Sequence, residues 1–385
     1  MKRILTAAAV AAFATGVSAQ TQGVSDSEVV IGGFHDMSGG FSAFSVPAVT
    51  AAQQYFDEVN AAGGVHGRTI RYVVEDHGYQ VPKAAQAANK LVNRDKVFAM
   101  LLSLGTPHNL AAFRIMDAKN IPSVFPLTAA RQMLDEPNDL KFVATASYYD
   151  SVRAAAGYLV DAKGADKLCS MYIPSDFGEE IHMATVDEAA ARGVDYVTET
   201  THRPDESDFT GALARLRADG CNLITIALTI RPTITVVATA KAMGWDDVTF
   251  LVSSAGFHTA VAKVPGGVTE GLYAGAGWQD LEARMSDPDT AAWVASYREA
   301  TGEFPGTGAL LGRSAAEIFV SALEAAGPDL TVESFQAGME SIDRHDPILG
   351  APVKMGPGDH AGSDSVFISQ IVNGSWALVD TVATN

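Results

Sequence analysis

Apolar runs of strand length alternate with stretches of helical periodicity along nearly the whole chain. Val97–Met116 shows the repeating unit most clearly. VFAMLLSL is almost wholly apolar and predicts a strand buried on both faces. Gly105, Thr106 and Pro107 then make a turn, and Leu110, Phe113 and Met116 recur at helical spacing. Gly105 lets backbone come close to a ligand, and Pro107 suits a first helical turn that needs no N–H. The free amides of that turn, with the helix dipole, favour an anion. The Thr106 hydroxyl can add a hydrogen bond.

The same pattern predicts earlier strands at Glu28–Phe34 and Thr69–Glu75, helices at Ala48–Ala62 and Lys83–Asp95, and a short strand at Ile121–Pro126. It then restarts. Strands are expected at Phe142–Thr145, Lys167–Ile173, Asp195–Thr200, Asn222–Leu228 and Val248–Val252, with Gly271–Ala274 leading away. Helices are expected at Asp150–Ala162, Gly178–Arg192 and Asp208–Asp219, with another ending at Met243. Beyond Thr290 come helices at Thr290–Thr301, Thr307–Ala326 and Val332–Ser341. A hairpin of Ser365–Val372 and Trp376–Val379 turns on Asn373-Gly374. Strand–helix alternation of this kind predicts an α/β protein with doubly wound parallel sheets. With 385 residues, 47% of them hydrophobic, the chain can bury a large core and divides into two lobes.

Met1–Ala19 has a basic start (Lys2, Arg3), an Ala-rich apolar stretch and a small-residue site at Val17-Ser18-Ala19. This predicts a signal peptide cleaved after Ala19, and hence an exported, soluble, periplasmic protein. No other stretch is apolar enough to be transmembrane. The net charge of −18 argues against nucleic acid or an anionic membrane as partner. Cys169 and Cys221 are the only cysteines. Export permits a disulfide between them, and two apolar buried thiols are the alternative. If their strands are neighbours in the second sheet, a bond needs Cα atoms about 4.4–6.8 Å apart.

No catalytic pattern is present: no G-x-S-x-G, no H-E-x-x-H, no Walker A and no G-x-G-x-x-G after a strand. His35 and Asp36 are adjacent on an extended chain and point apart, so they read as a polar pair lining a cleft rather than an acid–base pair. Neither cysteine has a histidine near it, so no nucleophile or metal site is expected. The chain reads as a binding protein, not an enzyme, with no cofactor. What remains is a ring of loops at strand carboxyl ends, where α/β sheets bind ligands. Phe41, Phe44, Phe177 and Phe257 offer apolar walls. Ser42, Thr106, Thr128, Thr229 and Ser254 offer hydrogen bonds, and Arg231 a positive charge. A concave, mostly apolar site with a few polar groups suits a small molecule.

VIGGFHDMSGGFSAFS, NAAGGVHGRTIRYVVEDHGYQVPKAA, LGTPHNLAAF and IPSDFGEEI, in that order, resemble the leucine/isoleucine/valine-binding family. These are type I periplasmic binding proteins of ABC importers. The resemblance covers essentially the whole chain after Ala19. It implies two lobes joined by three crossovers, near Ser147, Gly277 and Lys354, that close on the ligand like a trap. The N-terminal lobe would hold residues 27–147 and 277–354, and the C-terminal lobe 148–276 and 355–385. Loop by loop, it implies that Phe44 covers the ligand and that Gly105 and Thr106 receive its carboxylate. Leu127, Thr128 and Ala129 form the next loop, and Phe177, Thr229 and Arg231 come from the second lobe. Amino-acid binders of the family carry an acid near Ser254 to hold the ammonium, and this chain has none there. The D-x-G-Y and L-G-T-P-x-N blocks look more like the branch tied to aromatic and other organic acids. The expected ligand is therefore an organic acid without an essential α-ammonium, gripped in part by Arg231, with an amino-acid-like ligand as the alternative, and the expected partner an ABC permease. A ligand-sensing receptor module of the same fold, and an exported hydrolase, are the alternatives.

Overall fold

The structure is a computed structural model and describes residues 21–384; the expected signal peptide lies outside the described residues. The first sheet is built from β1 (Glu28–His35), α1 (Ser42–Ala61), β2 (Thr69–Asp76), α2 (Val81–Asn89), β3 (Met100–Leu101), α3 (Thr106–Asp117), β4 (Ser123–Val124) and β5 (Lys141–Phe142). Its strand order is β2-β1-β3-β4-β5, all parallel. The second begins with α4 (Tyr148–Lys163), β6 (Lys167–Tyr172), α5 (Asp176–Arg192), β7 (Asp195–Thr201), α6 (Thr210–Ala218) and β8 (Leu223–Ala227). It continues through α7 (Ile230–Ala242), β9 (Thr249–Val252), α8 (Thr259–Ala262) and β10 (Tyr273–Ala276). Then follow α9 (Pro288–Thr301), α10 (Thr307–Ala326), α11 (Val332–Glu340), β11 (Asp343–Asp346), β12 (Ala351–Lys354), β13 (Ser365–Val372) and β14 (Ser375–Ala383).

The second sheet runs β14-β13-β10-β9-β8-β6-β7, parallel from β10 to β7 and antiparallel where β13 and β14 join its edge. Its inner strands are buried along their length, as LCSMY and LITIA require when helices cover both faces. The β13–β14 hairpin turns on Asn373 and Gly374, at φ 53° and 73°, the left-handed pair that a tight two-residue turn needs.

Two expectations change. The strand expected at Phe142–Thr145 as the start of the second half is β5, the last strand of the first sheet. The β11–β12 ladder was not foreseen, because Asp-Arg-His-Asp has no apolar alternation.

Helices α9 to α11 fold back onto the first lobe. Phe319 of α10 meets Phe56 of α1, and Phe335 of α11 meets Phe98. The α1–α10 contact is close because α10 presents glycine. A Cβ on Gly312 would lie 2.1 Å from the Ala48 carbonyl oxygen, and one on Gly308 2.4 Å from that of Phe44. Cys169 of β6 and Cys221, in the turn just before the neighbouring strand β8, are joined in a disulfide with Cα atoms 5.9 Å apart.

Leu102 and Phe125 follow β3 and β4 at matched positions, since Leu101 pairs with Val124. Both are left-handed, at φ 58° and 48°, a conformation costing a bulky residue on the order of 1–2 kcal/mol. Each still donates its N–H to the next strand, Leu102 to Val124 and Phe125 to Phe142. The two kinks interrupt the ladder locally, and pairing resumes beyond them, where Leu104 bridges Leu127 and donates to the Phe34 carbonyl at 2.9 Å.

Three segments pass between the lobes side by side. Residues 143–147 lie against 355–364: Gly362 donates to the Val143 carbonyl at 2.8 Å, and Val143 to that of His360 at 3.0 Å. In the third, Gly277 packs on Thr145 so tightly that a Cβ would lie 2.5 Å from the threonine Cβ.

Candidate functional site

The carboxyl ends of both sheets face each other, and the loops there are in contact. Asp36, fully buried after β1, accepts the N–H groups of Gly39 at 2.6 Å and Phe41 at 2.7 Å. That fixes the first loop and places Phe41 and Phe44 over the cleft. Burial pushes the Asp36 carboxyl above its ordinary pKa, against the pull of those amides. Across the gap Phe177 meets Phe41 edge-on at 5.9 Å. His258 stands beside Phe44 at 4.6 Å and donates Nε2–H to the Ala43 carbonyl at 3.1 Å, while Nδ1 accepts from Ala260. Burial lowers the His258 pKa to about 4, so the ring is neutral. Thr259 donates its N–H to Thr307 Oγ1 at 3.1 Å. The lobes are closed on one another.

Between them lies a cavity of about 80 Å³. Of the ten candidate ligand residues, Phe44, Gly105, Thr106, Leu127, Thr128, Ala129, Phe177 and Ser254 line it. Gly105, at φ 100°, precedes α3. The N–H groups of Thr106 and His108 have no carbonyl partner, and Pro107 between them has no N–H to satisfy. Thr106 Oγ1 is 2.7 Å from Thr128 Oγ1. Tyr148 also lines this end of the cavity. Burial is the main reason its pKa rises to about 12. Amides, two hydroxyls and a helix N-terminus thus converge on one point, an arrangement that binds an anion without a cation.

Thr229 and Arg231 are not in the cavity. Thr229 is buried, but its hydroxyl donates to the Pro204 carbonyl at 3.0 Å and its methyl packs on Gly40. Arg231 lies two residues on in α7, exposed, so the expected grip on the ligand is corrected. Thr229 fills the closing contact between lobes and leaves the next turn of α7 outside. His35 and Asp36 do not line the cleft either: His35 is buried against the Tyr72 hydroxyl at 2.7 Å. Phe257 packs on Trp278 and Trp376 instead of walling the site.

Sequence reasoning missed Tyr79, Tyr148, Leu102, Phe125 and Trp278, all in the cavity wall. Tyr79 ends the D-x-G-Y block and Tyr148 follows the first crossover, so their positions carried a signal. The others look like ordinary core residues. Among the described residues, none lining the cavity is an acid, a lysine, an arginine or a histidine.

Two lobes, three crossovers and an enclosed gap at the strand ends are the architecture of a two-lobed binding protein. The chain belongs to the family described as periplasmic binding proteins, which it matches over residues 28–375, and within it to the leucine/isoleucine/valine-binding type. It is similar to an amino acid binding protein of Pseudomonas aeruginosa, 24% identical over 51% of this chain and 53% of that one. It is also similar to the Leu/Ile/Val-binding protein of Citrobacter freundii, 24% identical over 49% and 51%. The chain thus aligns with about half the length of these curated relatives. A solved structure, the fatty acid ABC transporter substrate-binding protein from Thermomonospora curvata, superposes with a TM-score of 0.84 at 25% identity, covering 94% of this chain and 93% of that one. Members of this family are binding proteins exported to the periplasm. Among the described residues, no helix is long and apolar enough to cross a membrane.

Proposed function

We propose that this chain is the substrate-binding subunit of an ABC importer that captures an organic acid with an apolar body and hands it to the permease. The supporting observation is the uncharged cavity wall with an anion cradle at one point, formed by Thr106, Thr128, Tyr148 and the start of α3. A buried ammonium would have no counter-charge there, and an unpaired buried charge is costly. A neutral Ser254 stands where the family's amino-acid binders keep an acid. The likeness to a fatty acid binding protein adds weight. Phe44, Gly105, Leu127, Ala129 and Phe177 are the remaining ligand contacts in this reading. The lobes divide as 27–147 with 277–354 and 148–276 with 355–385, and the bound acid is released unaltered.

Calorimetry on purified protein tests this with paired ligands, each amino acid against its des-amino acid. Binding of the acids without need of the amino group is expected. Tight leucine or valine binding with no des-amino acid bound would overturn it. Recovery of a chemically altered ligand would overturn the non-enzymatic part.

A further inference from the structure

Asn109 closes the L-G-T-P-x-N block and lies in the first turn of α3, fully buried. It does not line the cavity, yet both hydrogens of its side-chain amide are spent on the loop that does. Nδ2 donates to the Gly105 carbonyl at 2.8 Å and to the Ser103 carbonyl at 3.0 Å. Two carbonyls on that side fix which end of the amide is the NH2. Oδ1 has no hydrogen-bond partner, so the two donated bonds are what this amide contributes.

Each of the two carbonyls bears on the cradle. The 105–106 peptide is trans, and a trans peptide points its C=O and N–H in opposite directions. The Gly105 carbonyl is turned into α3, where the Asn109 backbone N–H also donates to it at 3.0 Å. The Thr106 N–H is thereby turned outward from the helix start. Gly105, at φ 100° and ψ 137°, cannot hold that plane by itself, because glycine restricts its own dihedrals least. The Ser103 carbonyl also accepts the Leu127 N–H at 2.9 Å, and Leu104 bridges Leu127. That pairing sets the register in which Thr128 reaches Thr106 at 2.7 Å.

We propose that Asn109 is the positioning residue of this site: its two amide hydrogens hold the Gly105 and Ser103 carbonyls back, so that the loop presents N–H and hydroxyl groups and selects an anion over a neutral amide. This rests on the carboxylate reading above and adds the residue that sets which charge the site accepts. A carbonyl free to tilt toward the ligand would repel a carboxylate and accept from the NH2 of a carboxamide.

The experiment is calorimetry with two acids and their primary amides, 4-methylpentanoate with 4-methylpentanamide and benzoate with benzamide, the amides by competition. Asn109→Val and Asn109→Thr share one shape, and only the latter carries a donor that can reach the carbonyl four residues back, that of Gly105. In Asn109→Val acid affinity should fall about tenfold, with amide affinity changed by less than about threefold. In Asn109→Thr acid affinity should stay within about threefold of the unaltered protein. Equal losses of acid and amide in Asn109→Val, or no loss of either, would overturn this inference and leave the carboxylate reading standing. So would equal acid affinity in the two variants. If neither acid binds the unaltered protein, both readings fall. Amide proton exchange in the unaltered protein decides the matter should neither variant fold. The two Asn109 side-chain protons should exchange slowly with and without acid, and fast exchange would overturn the inference.

Discussion

Glu180 of α5 accepts the backbone N–H of Arg131 through both carboxylate oxygens, each at 3.1 Å, and so ties the second lobe to a loop of the first. It is 3% exposed and also accepts the Tyr149 N–H at 3.3 Å. Burial raises its pKa to about 7, although those amides and the Arg131 guanidinium, 3.5 Å away, pull it down. The carboxyl is therefore caught between two charge states when the lobes are shut.

Closure should be linked to a proton at this residue. In an open form Glu180 meets water and returns toward an ordinary carboxylate pKa, so shutting the lobes raises its pKa and takes up protons. At pH 7 that is about half a proton per ligand bound. Titrations in two buffers of different ionisation enthalpy measure it. Glu180→Gln should remove that half proton, leaving at pH 7 only the small release from His258. His258 acts oppositely, since its pKa is lowered to about 4 in the closed form, but it releases protons mainly below about pH 6.5. Equal uptake in protein and variant would refute the linkage.

Acid should weaken the fold through four buried histidines. Burial is the main cause that lowers His35 to about 3, His77 to about 3, His108 to about 4 and His258 to about 4. Well above pH 6.5, from about pH 7.5, they are neutral both folded and unfolded and contribute nothing to the pH dependence. As pH falls below that, the unfolded chain takes up protons that the folded one refuses. Each then costs up to about 1.4 kcal/mol per pH unit until its folded pKa is reached. Urea midpoints between pH 7 and 4.5 should fall steeply, and His108→Leu should flatten the slope by about a quarter. An unchanged slope in that variant would remove His108 from the account.

Carboxylate affinity should depend on Thr106 and not on Arg231. Thr106→Val removes one hydroxyl from the cradle and should cost about 1.5–3 kcal/mol, as for a hydrogen bond to a charged group. Arg231→Ala should leave the dissociation constant within about twofold, because the side chain is exposed and outside the cavity. The opposite ranking would place the anion at α7.

The disulfide should contribute substantially to stability. Cys169 and Cys221 are 52 residues apart in sequence, and closing a loop of that size in the unfolded chain is worth about 4 kcal/mol in the chain-entropy account. Denaturant titration of the double Cys169→Ala, Cys221→Ala variant should show most of that loss. Equal stability would mean the link constrains nothing that unfolding releases.

Much of the architecture was legible because the inner strands of a parallel sheet are bare apolar runs. VVIGGF, FAMLL and LITIAL admit few other readings. The anion cradle was legible too, since glycine, threonine and proline at a helix start each do one recognisable thing. Arg231 misled because two residues at the start of α7, about half a helical turn, separate an inward position at Thr229 from an outward one, and the spacing alone does not say which is which. The deeper cavity wall was hidden for a different reason. Leu102, Phe125, Leu311 and Trp278 are brought together only by the tertiary fold, and each taken alone is an unremarkable apolar residue.

The seam between α1 and α10 sets the order in which the molecule can be made. Residues 42–61 hide their inner face against residues 307–326, with Ala48 backbone on Gly312. The second sheet likewise waits for β13 and β14 at its edge. Neither half is complete when the ribosome has finished it in sequence. A nascent chain released before residue 307 has an open seam on one lobe and a bare edge on the other. Both are closed only by the last quarter of the polypeptide, so long-range pairing governs the rate, and the lobes mature together.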